Sequence, residues 1–246
     1  MSKLPEQFTC IIPARFQSSR FPGKPLKEIN GKAMIDYVYE HAVSAKHTGK
    51  VIIATDDETI FNHCKEKGFE VAMTGEEANG SERVAAVARE LEDEFVFEMQ
   101  GDQPLLTGEQ VDDFLTRAKE QFESEKGDEI DIVHPFTDAT PEQRDARHVV
   151  KAVKTASNRL IFQTRLPIES GTRTLGLYLW RNSSLQRFAS IAPSELEKKE
   201  DTHPLRLYLN DFFVQGIPID GDDWIEIDLP EQIAQAEEIM KRKGIE

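Results

Sequence analysis

Short runs of core-type residues alternate along this chain with longer stretches whose apolar positions recur every three or four residues. Phe8 to Ile12, Lys50 to Thr55 and Phe95 to Met99 are largely apolar runs, and Phe69 to Met73 is a shorter one. Such runs, lacking polar alternation, predict strands covered on both faces. Between them, Ala33 to Lys46, Asp57 to Lys67 and Ser81 to Glu92 carry the spacing of amphipathic helices. Strands alternating with helices need crossover connections, which are right-handed and build a mainly parallel α/β sheet flanked by helices. Thr107-Gly108-Glu109-Gln110 has the make-up of a capping box and opens a further helix to about Phe122.

After Phe122 the pattern changes. Glu123 to Glu129 is charged, and shorter strands are predicted at Ile130 to Pro135, Val149 to Lys154 and Thr174 to Trp180. Glu195 to Leu209 has helical spacing that Pro204 must end or kink, because its ring removes an amide donor and crowds the preceding turn. Phe213 to Ile219 reads as a strand and Pro230 to Lys243 as a closing helix. The expected organisation is a core over residues 1–129, an inserted α+β region over 130–206, and a return to the core over 207–246.

Composition narrows the function. A chain of 246 residues with 39% hydrophobic and 30% charged residues suits a soluble globular protein with a sizeable core. A net charge of −15 argues against general nucleic-acid binding, which needs a basic footprint. No apolar run reaches membrane-spanning length, and the N-terminus lacks a basic flank followed by an apolar signal core, so no membrane partner and a cytoplasmic location are expected. Cys10, in the first strand, and Cys64, in a helix, read as reduced packing residues, and His63 as a helix-surface residue.

The chemistry concentrates after strands. The loop following the first strand carries Ala14, Arg15, Ser18, Arg20, Gly23 and Lys24. Guanidinium forks, an ammonium and small residues that let backbone amides approach an anion suit a polyphosphate. The loop has neither the G-x-x-x-x-G-K-[ST] nor the G-x-G-x-x-G spacing, which disfavours P-loop hydrolases and dinucleotide oxidoreductases. Gln100-Gly101-Asp102-Gln103-Pro104 places a carboxylate at a strand's carboxyl end, where it serves either a divalent cation or a simple Gly-Asp turn. Asp228, three residues before Glu231, is a second carboxylate whose plain alternative is a helix cap. Asn79-Gly80-Ser81-Glu82-Arg83 reads as a helix N-terminus open to a ligand or as a capped turn, and Thr55-Asp56-Asp57 as a helix cap.

The run P-A-R-x-x-S-x-R-x-P-G-K-P-L over residues 13–26 resembles the signature loop of the 3-deoxy-manno-octulosonate (Kdo) cytidylyltransferases. Gln100 to Pro104 is similar to the family's Q-G-D-[EQ]-P, Asn79 to Arg83 to its S-G-T-[ED]-R, and Ile227 to Glu231 to its V-D-T-P-E, with Leu229 in place of the threonine. The resemblance implies a Rossmann-like, glycosyltransferase-A-like nucleotidyltransferase. It implies CTP binding by Ala14, Arg15, Ser18, Arg20, Lys24, Asn79, Gly80 and Ser81. It further implies catalysis by Arg15, Lys24 and Asp102, acceptor contacts from Arg83, Gln100 and Tyr178, and Mg²⁺ on Asp102 and Asp228, with Asp228 also capping its helix.

The acceptor half departs from the pattern. Where the family reads H-[LV]-G-[IV]-Y-[GA]-Y, this chain has Thr174-Leu175-Gly176-Leu177-Tyr178-Leu179-Trp180, without the histidine. His203 and Pro204 replace a glutamate and a glutamine of the family's E-x-L-E-Q-L-R, and the loop from Pro167 to Thr174 is shorter. The resemblance therefore implies CMP transfer from CTP to a 3-deoxy-2-keto sugar acid, releasing pyrophosphate for lipopolysaccharide or capsule synthesis. The acceptor is Kdo, 8-amino-Kdo or another ulosonic acid. A homodimer is expected through the inserted region. A nucleotide-binding paralogue without turnover and an aldose-phosphate nucleotidyltransferase are the competing readings.

Overall fold

The structure is a computed structural model that describes residues 4–17, 21–169, 171–220 and 225–245. Ser18 and Arg20, two of the expected nucleotide contacts, lie outside the described residues. The first half runs β1 (Phe8–Ala14), a small hairpin of β2 (Glu28–Ile29) and β3 (Lys32–Ala33), α1 (Met34–Ser44), β4 (Thr48–Thr55), α2 (Glu58–Glu66), β5 (Val71–Met73), α3 (Gly80–Ala88), β6 (Phe95–Met99) and α4 (Gly108–Phe122). The second half runs β7 (Ile132–Asp138), α5 (Pro141–Asp145), β8 (Lys151–Lys154), β9 (Arg159–Thr164), β10 (Thr172–Thr174), β11 (Leu177–Arg181), α6 (Asn182–Ser190), α7 (Glu195–Glu200), α8 (Leu205–Leu209), β12 (Val214–Pro218) and α9 (Gln232–Lys243).

β1 is the axis of the parallel half: Cys10 pairs with Val51 of β4 on one side and with Phe97 of β6 on the other. Its residues point alternately to two cores. Cys10 and Ile12 pack with Ile35, Val38 and Phe114 under α1 and α4, while Ile11 packs with Val84, Leu185 and Phe188 under α3 and α6. Each fully buried side chain of this size contributes roughly 1.5–3 kcal/mol, so a slip of one residue in β1 would put the wrong set in each core. A third cluster seats α9, through Ala236, Ile239 and Met240, against Phe21, Tyr37 and Ile227.

Beyond β6 the sheet becomes mixed. β11 joins β6 to β7 with antiparallel pairing on both sides. The segment expected as an inserted region supplies strands to this same ten-stranded sheet. There β7, β12, β9, β8 and β10 pair in a closed circuit, since β10 bonds to both β8 and β7. His63, expected at a helix surface, instead holds the buried Asp36 at 2.6 Å across the α1–α2 contact. Both cysteines are free and buried.

Candidate active site

Three remote segments meet at the carboxyl edge of the parallel strands. After β1 the chain turns at Gly23, whose φ of +69° favours glycine, and its amide returns to the Phe16 carbonyl at 2.8 Å. A single 3₁₀ turn with Pro25 buried then fixes Lys24. After β6 comes the turn bearing Asp102. From the far end of the chain, residues 225–228 alternate Ile-Glu-Ile-Asp, with Ile227 in the α9 cluster and its amide on the Asp102 carbonyl at 3.1 Å. That bond sets Asp228 beside Asp102.

The Lys24 ammonium lies 2.8 Å from Asp102 Oδ2 and 3.2 Å from Asp228 Oδ1. Burial pulls the Lys24 pKa down, but the two carboxylates outweigh it and hold it above the ordinary lysine value. Glu226, which lines the same cavity as Asp228, is pushed up to about 8 by burial and by Asp102 and Asp228. Two carboxylates already converging on one cation fit a magnesium ion completed by phosphate oxygens. Among the described residues no cluster of three or more metal-ligating side chains occurs.

These groups open into a cavity of about 460 Å³. Ala14, Arg15, Lys24, Asn79, Gly80, Arg83, Gln100, Asp102, Tyr178 and Asp228 border it, so most of the expected site residues come together. Asn79 caps α3, accepting from the Glu82 amide at 3.0 Å. Arg83 is buried and bound to Asp56 at 2.7 Å, to the Thr74 hydroxyl and to the Gly75 carbonyl.

Two expectations are corrected. Ser81 is fully buried, and its hydroxyl donates to Glu98 at 2.8 Å and meets His203 at 3.1 Å, so it supports the site from behind instead of facing a nucleotide. The α9 cap falls on Glu231, which makes no side-chain capping bond, while the Asp228 carboxylate turns to Lys24. The Gln232 side chain closes this turn by accepting from the Asp228 and Leu229 amides at 2.7 and 2.8 Å.

Over residues 9–219 the sequence matches the model of one protein family, described as cytidylyltransferase. The chain belongs to the cytidylyltransferase family. It is 32% identical to 3-deoxy-manno-octulosonate cytidylyltransferase of Chlamydia trachomatis, over 94% of this chain and 92% of that one. It is 34% identical to 8-amino-3,8-dideoxy-manno-octulosonate cytidylyltransferase of Shewanella baltica, over 94% and 97%. A solved structure of CMP:2-keto-3-deoxy-manno-octonic acid synthetase complexed with CTP shares the fold, with a TM-score of 0.84, 24% identity, and coverage of 96% of this chain and 99% of that one.

Against this cytidylyltransferase frame, the largest group that sequence reasoning missed is the one around Glu98. This carboxylate is fully buried and accepts from Ser81, from Trp180 Nε1 at 2.8 Å and from the Gln100 amide. Burial pushes its pKa up to about 7, against the pull of those three donors. Gln100 is further held by its own amide on the Gly176 carbonyl at 2.8 Å. A Cβ on Gly176 would lie 2.8 Å from Gln100 Cβ, so only glycine allows this approach. Glu226 was legible from the two-residue alternation at 225–228; Glu98, inside an otherwise apolar strand, carried no signal beyond being out of place.

Proposed function

We propose that this cytidylyltransferase transfers CMP from CTP to the anomeric hydroxyl of a 3-deoxy-2-keto sugar acid of the octulosonate kind, releasing pyrophosphate. The observation that carries the reading is the convergence of Lys24, Asp102 and Asp228 from three remote segments at the mouth of one cavity. Asp102 and Asp228 would hold Mg²⁺, which when bound neutralises phosphate charge and acidifies the attacking hydroxyl. Lys24 balances the carboxylate pair in the chain itself and, with Arg15 at the rim, offsets charge on the leaving pyrophosphate. Asn79 and Gly80 at the start of α3 offer polar groups to the pyrimidine. Gln100, with its amide nitrogen given to Glu98, keeps its oxygen for an acceptor hydroxyl, and Tyr178 forms part of the same wall. The protein contributes placement and a fixed field more than covalent chemistry.

A catalytically silent nucleotide-binding role is disfavoured because the cation and both carboxylates are in place. No helix among the described residues is long and apolar enough to cross a membrane, and we place the reaction in the cytoplasm, supplying lipopolysaccharide or capsule synthesis. A second copy of the chain is proposed to cover the β8–β9 hairpin, where Val153 and Phe162 face each other and remain 37% and 38% exposed. Pyrophosphate release tests the function, with CTP, UTP, GTP or dTTP against a panel of keto-sugar acids and an aldose phosphate. Release only with CTP and an octulosonate is expected; release with an aldose phosphate, or none despite CTP binding, would refute it.

A further inference from the structure

Three donors converge on one buried carboxylate behind the cavity. Glu98 lies in the central strand β6 with no exposed surface. Its Oε2 accepts from Trp180 Nε1 at 2.8 Å, and its Oε1 accepts both from the Ser81 hydroxyl at 2.8 Å and from Nε2 of Gln100. Of these three donors, Gln100 alone borders the cavity. A carboxylate this deep is unfavourable unless fully hydrogen-bonded, so its place in an otherwise apolar strand points to what it holds.

The Gln100 side chain is hemmed in by two glycine backbones. A Cβ on Gly80 would lie 3.1 Å from both its Nε2 and its Oε1, and one on Gly176 would lie 2.8 Å from its Cβ. The amide keeps one freedom that needs no extra volume, a half-turn of its terminal group that exchanges oxygen for nitrogen. Glu98 decides that half-turn. An ionised carboxylate only accepts, so it takes Nε2 and leaves Oε1 to the cavity.

Resting on the cytidylyltransferase reading above, we infer that Glu98 is a positioning residue for the transfer: in its ionised form it turns the Gln100 amide oxygen toward the cavity, and the reaction needs that orientation. Adding a proton undoes the hold. Oε2 keeps the indole N–H, which cannot reverse, so the proton sits on Oε1. It is then donated either to Ser81, which weakens the Gln100 bond, or to Gln100 Oε1, which reverses the amide. Burial raises the Glu98 pKa to about 7, so both forms occur near neutrality.

The titratable groups around Glu98 each hold one charge state there. Tyr178, opposite Glu98 on β11, and Cys10 of β1 are pushed up by burial and by Glu98 itself, so both stay neutral. His203, beyond Ser81, is pushed down to about 3 by burial with Arg206, His134, Arg165 and Arg15 nearby, and is neutral too. The charged residues flanking Ser81 on α3 are paired, Glu82 with Arg206 at 2.7 Å and Arg83 with Asp56 at 2.7 Å. Glu98 is the member of this cluster that changes charge near neutral pH.

Glu98→Gln tests this because its amide has two N–H donors where Oε1 stood. Its oxygen accepts from Trp180, and the two N–H groups meet Ser81 and Gln100 Oε1, so Gln100 is held reversed at every pH. The first readout is the indole N–H resonance of Trp180, one of two tryptophans in the chain, assigned by its loss in Trp180→Phe. In substrate-free wild type it should titrate with a midpoint near 7, and in Glu98→Gln it should not. The second readout is CTP-dependent pyrophosphate release with 3-deoxy-manno-octulosonate. In the wild-type to Glu98→Gln ratio of kcat/KM, groups common to both, such as Glu226, cancel. That ratio should grow from near unity at about pH 5.5 to about ten- to a hundredfold at about pH 9. Ser81→Ala keeps Glu98 but removes one of its donors, so the resonance and rate midpoints should both move up, and together. A purely structural Glu98 would lower Tm on substitution and give a ratio that ignores pH. A Trp180 resonance that does not titrate, a ratio independent of pH, or midpoints that part in Ser81→Ala would overturn the inference and leave CTP-dependent transfer standing. No release at any pH would overturn both.

Discussion

Glu98 shows how one buried carboxylate organises an otherwise apolar strand end. It ties Ser81, Trp180 and Gln100 to one point, and through Ser81 it reaches His203. Its pKa is raised from 4.5 to about 7 by burial, so the folded state prefers the protonated acid more than the unfolded chain does. Its contribution to stability is therefore complete below 4.5 and is lost as pH rises through about 7. Denaturant midpoints measured across that window should fall with rising pH for wild type and fall less steeply in Glu98→Gln, where Glu226, also raised by burial, still contributes. An unchanged slope in the variant would assign the pH dependence elsewhere.

At the scale of elements, α7 and α8 are set against α3 by Arg206. This guanidinium is fully buried, grips Glu197, donates to Glu82 at 2.7 Å and to the Phe188 and Ile191 carbonyls, and lies over the Phe188 ring. Arg206→Leu strands Glu197 and Glu82 and should cost about 3–5 kcal/mol, read as a lower urea midpoint with an unchanged m-value. Loss of less than about 1 kcal/mol would mean that water replaces the guanidinium.

What the sequence made legible follows from physics at this same scale. β1, β4 and β6 announced themselves because strands covered on both faces need unbroken apolar runs. The Thr107–Gln110 capping box opens α4 as its chemistry requires. Pro204 does separate two helices, with Asp201 at φ +49° capping the first. β9 carried no pattern: a bulge at Ile161 breaks its alternation, and two of its three buried residues, Gln163 and Thr164, are polar, beside the apolar Leu160. α6 was equally silent, since Leu185 and Phe188 are its only large buried apolar residues. Arg15, Lys24 and Asp102 stood out because anion and cation chemistry needs charged residues on short loops. The Gln163 amide and the His203 imidazole did not, because such groups look like any other polar residue until the fold brings them to one cavity.

Over the whole molecule, the surface leaves a clear vacancy in polarity at the β8–β9 hairpin, where Val153, Ile161, Phe162 and Leu166 are exposed together. Light scattering should give twice the 28.0 kDa chain mass for wild type. The double variant Val153→Glu, Phe162→Glu should give the monomer mass with its CD spectrum intact. A wild type that scatters as a monomer at micromolar concentration would contradict the proposed second copy.

The most direct measurement is phosphorus NMR of a reaction holding CTP, magnesium and 3-deoxy-manno-octulosonate. Wild type should convert the CTP α-phosphorus signal into a single phosphodiester resonance with matching pyrophosphate. Asp102→Asn, keeping a native CD spectrum, should slow that conversion by roughly two to four orders of magnitude, the loss expected when several kcal/mol of charge stabilisation go missing. Near-normal conversion by Asp102→Asn, or no phosphodiester from wild type, would contradict a transferase centred on Lys24, Asp102 and Asp228.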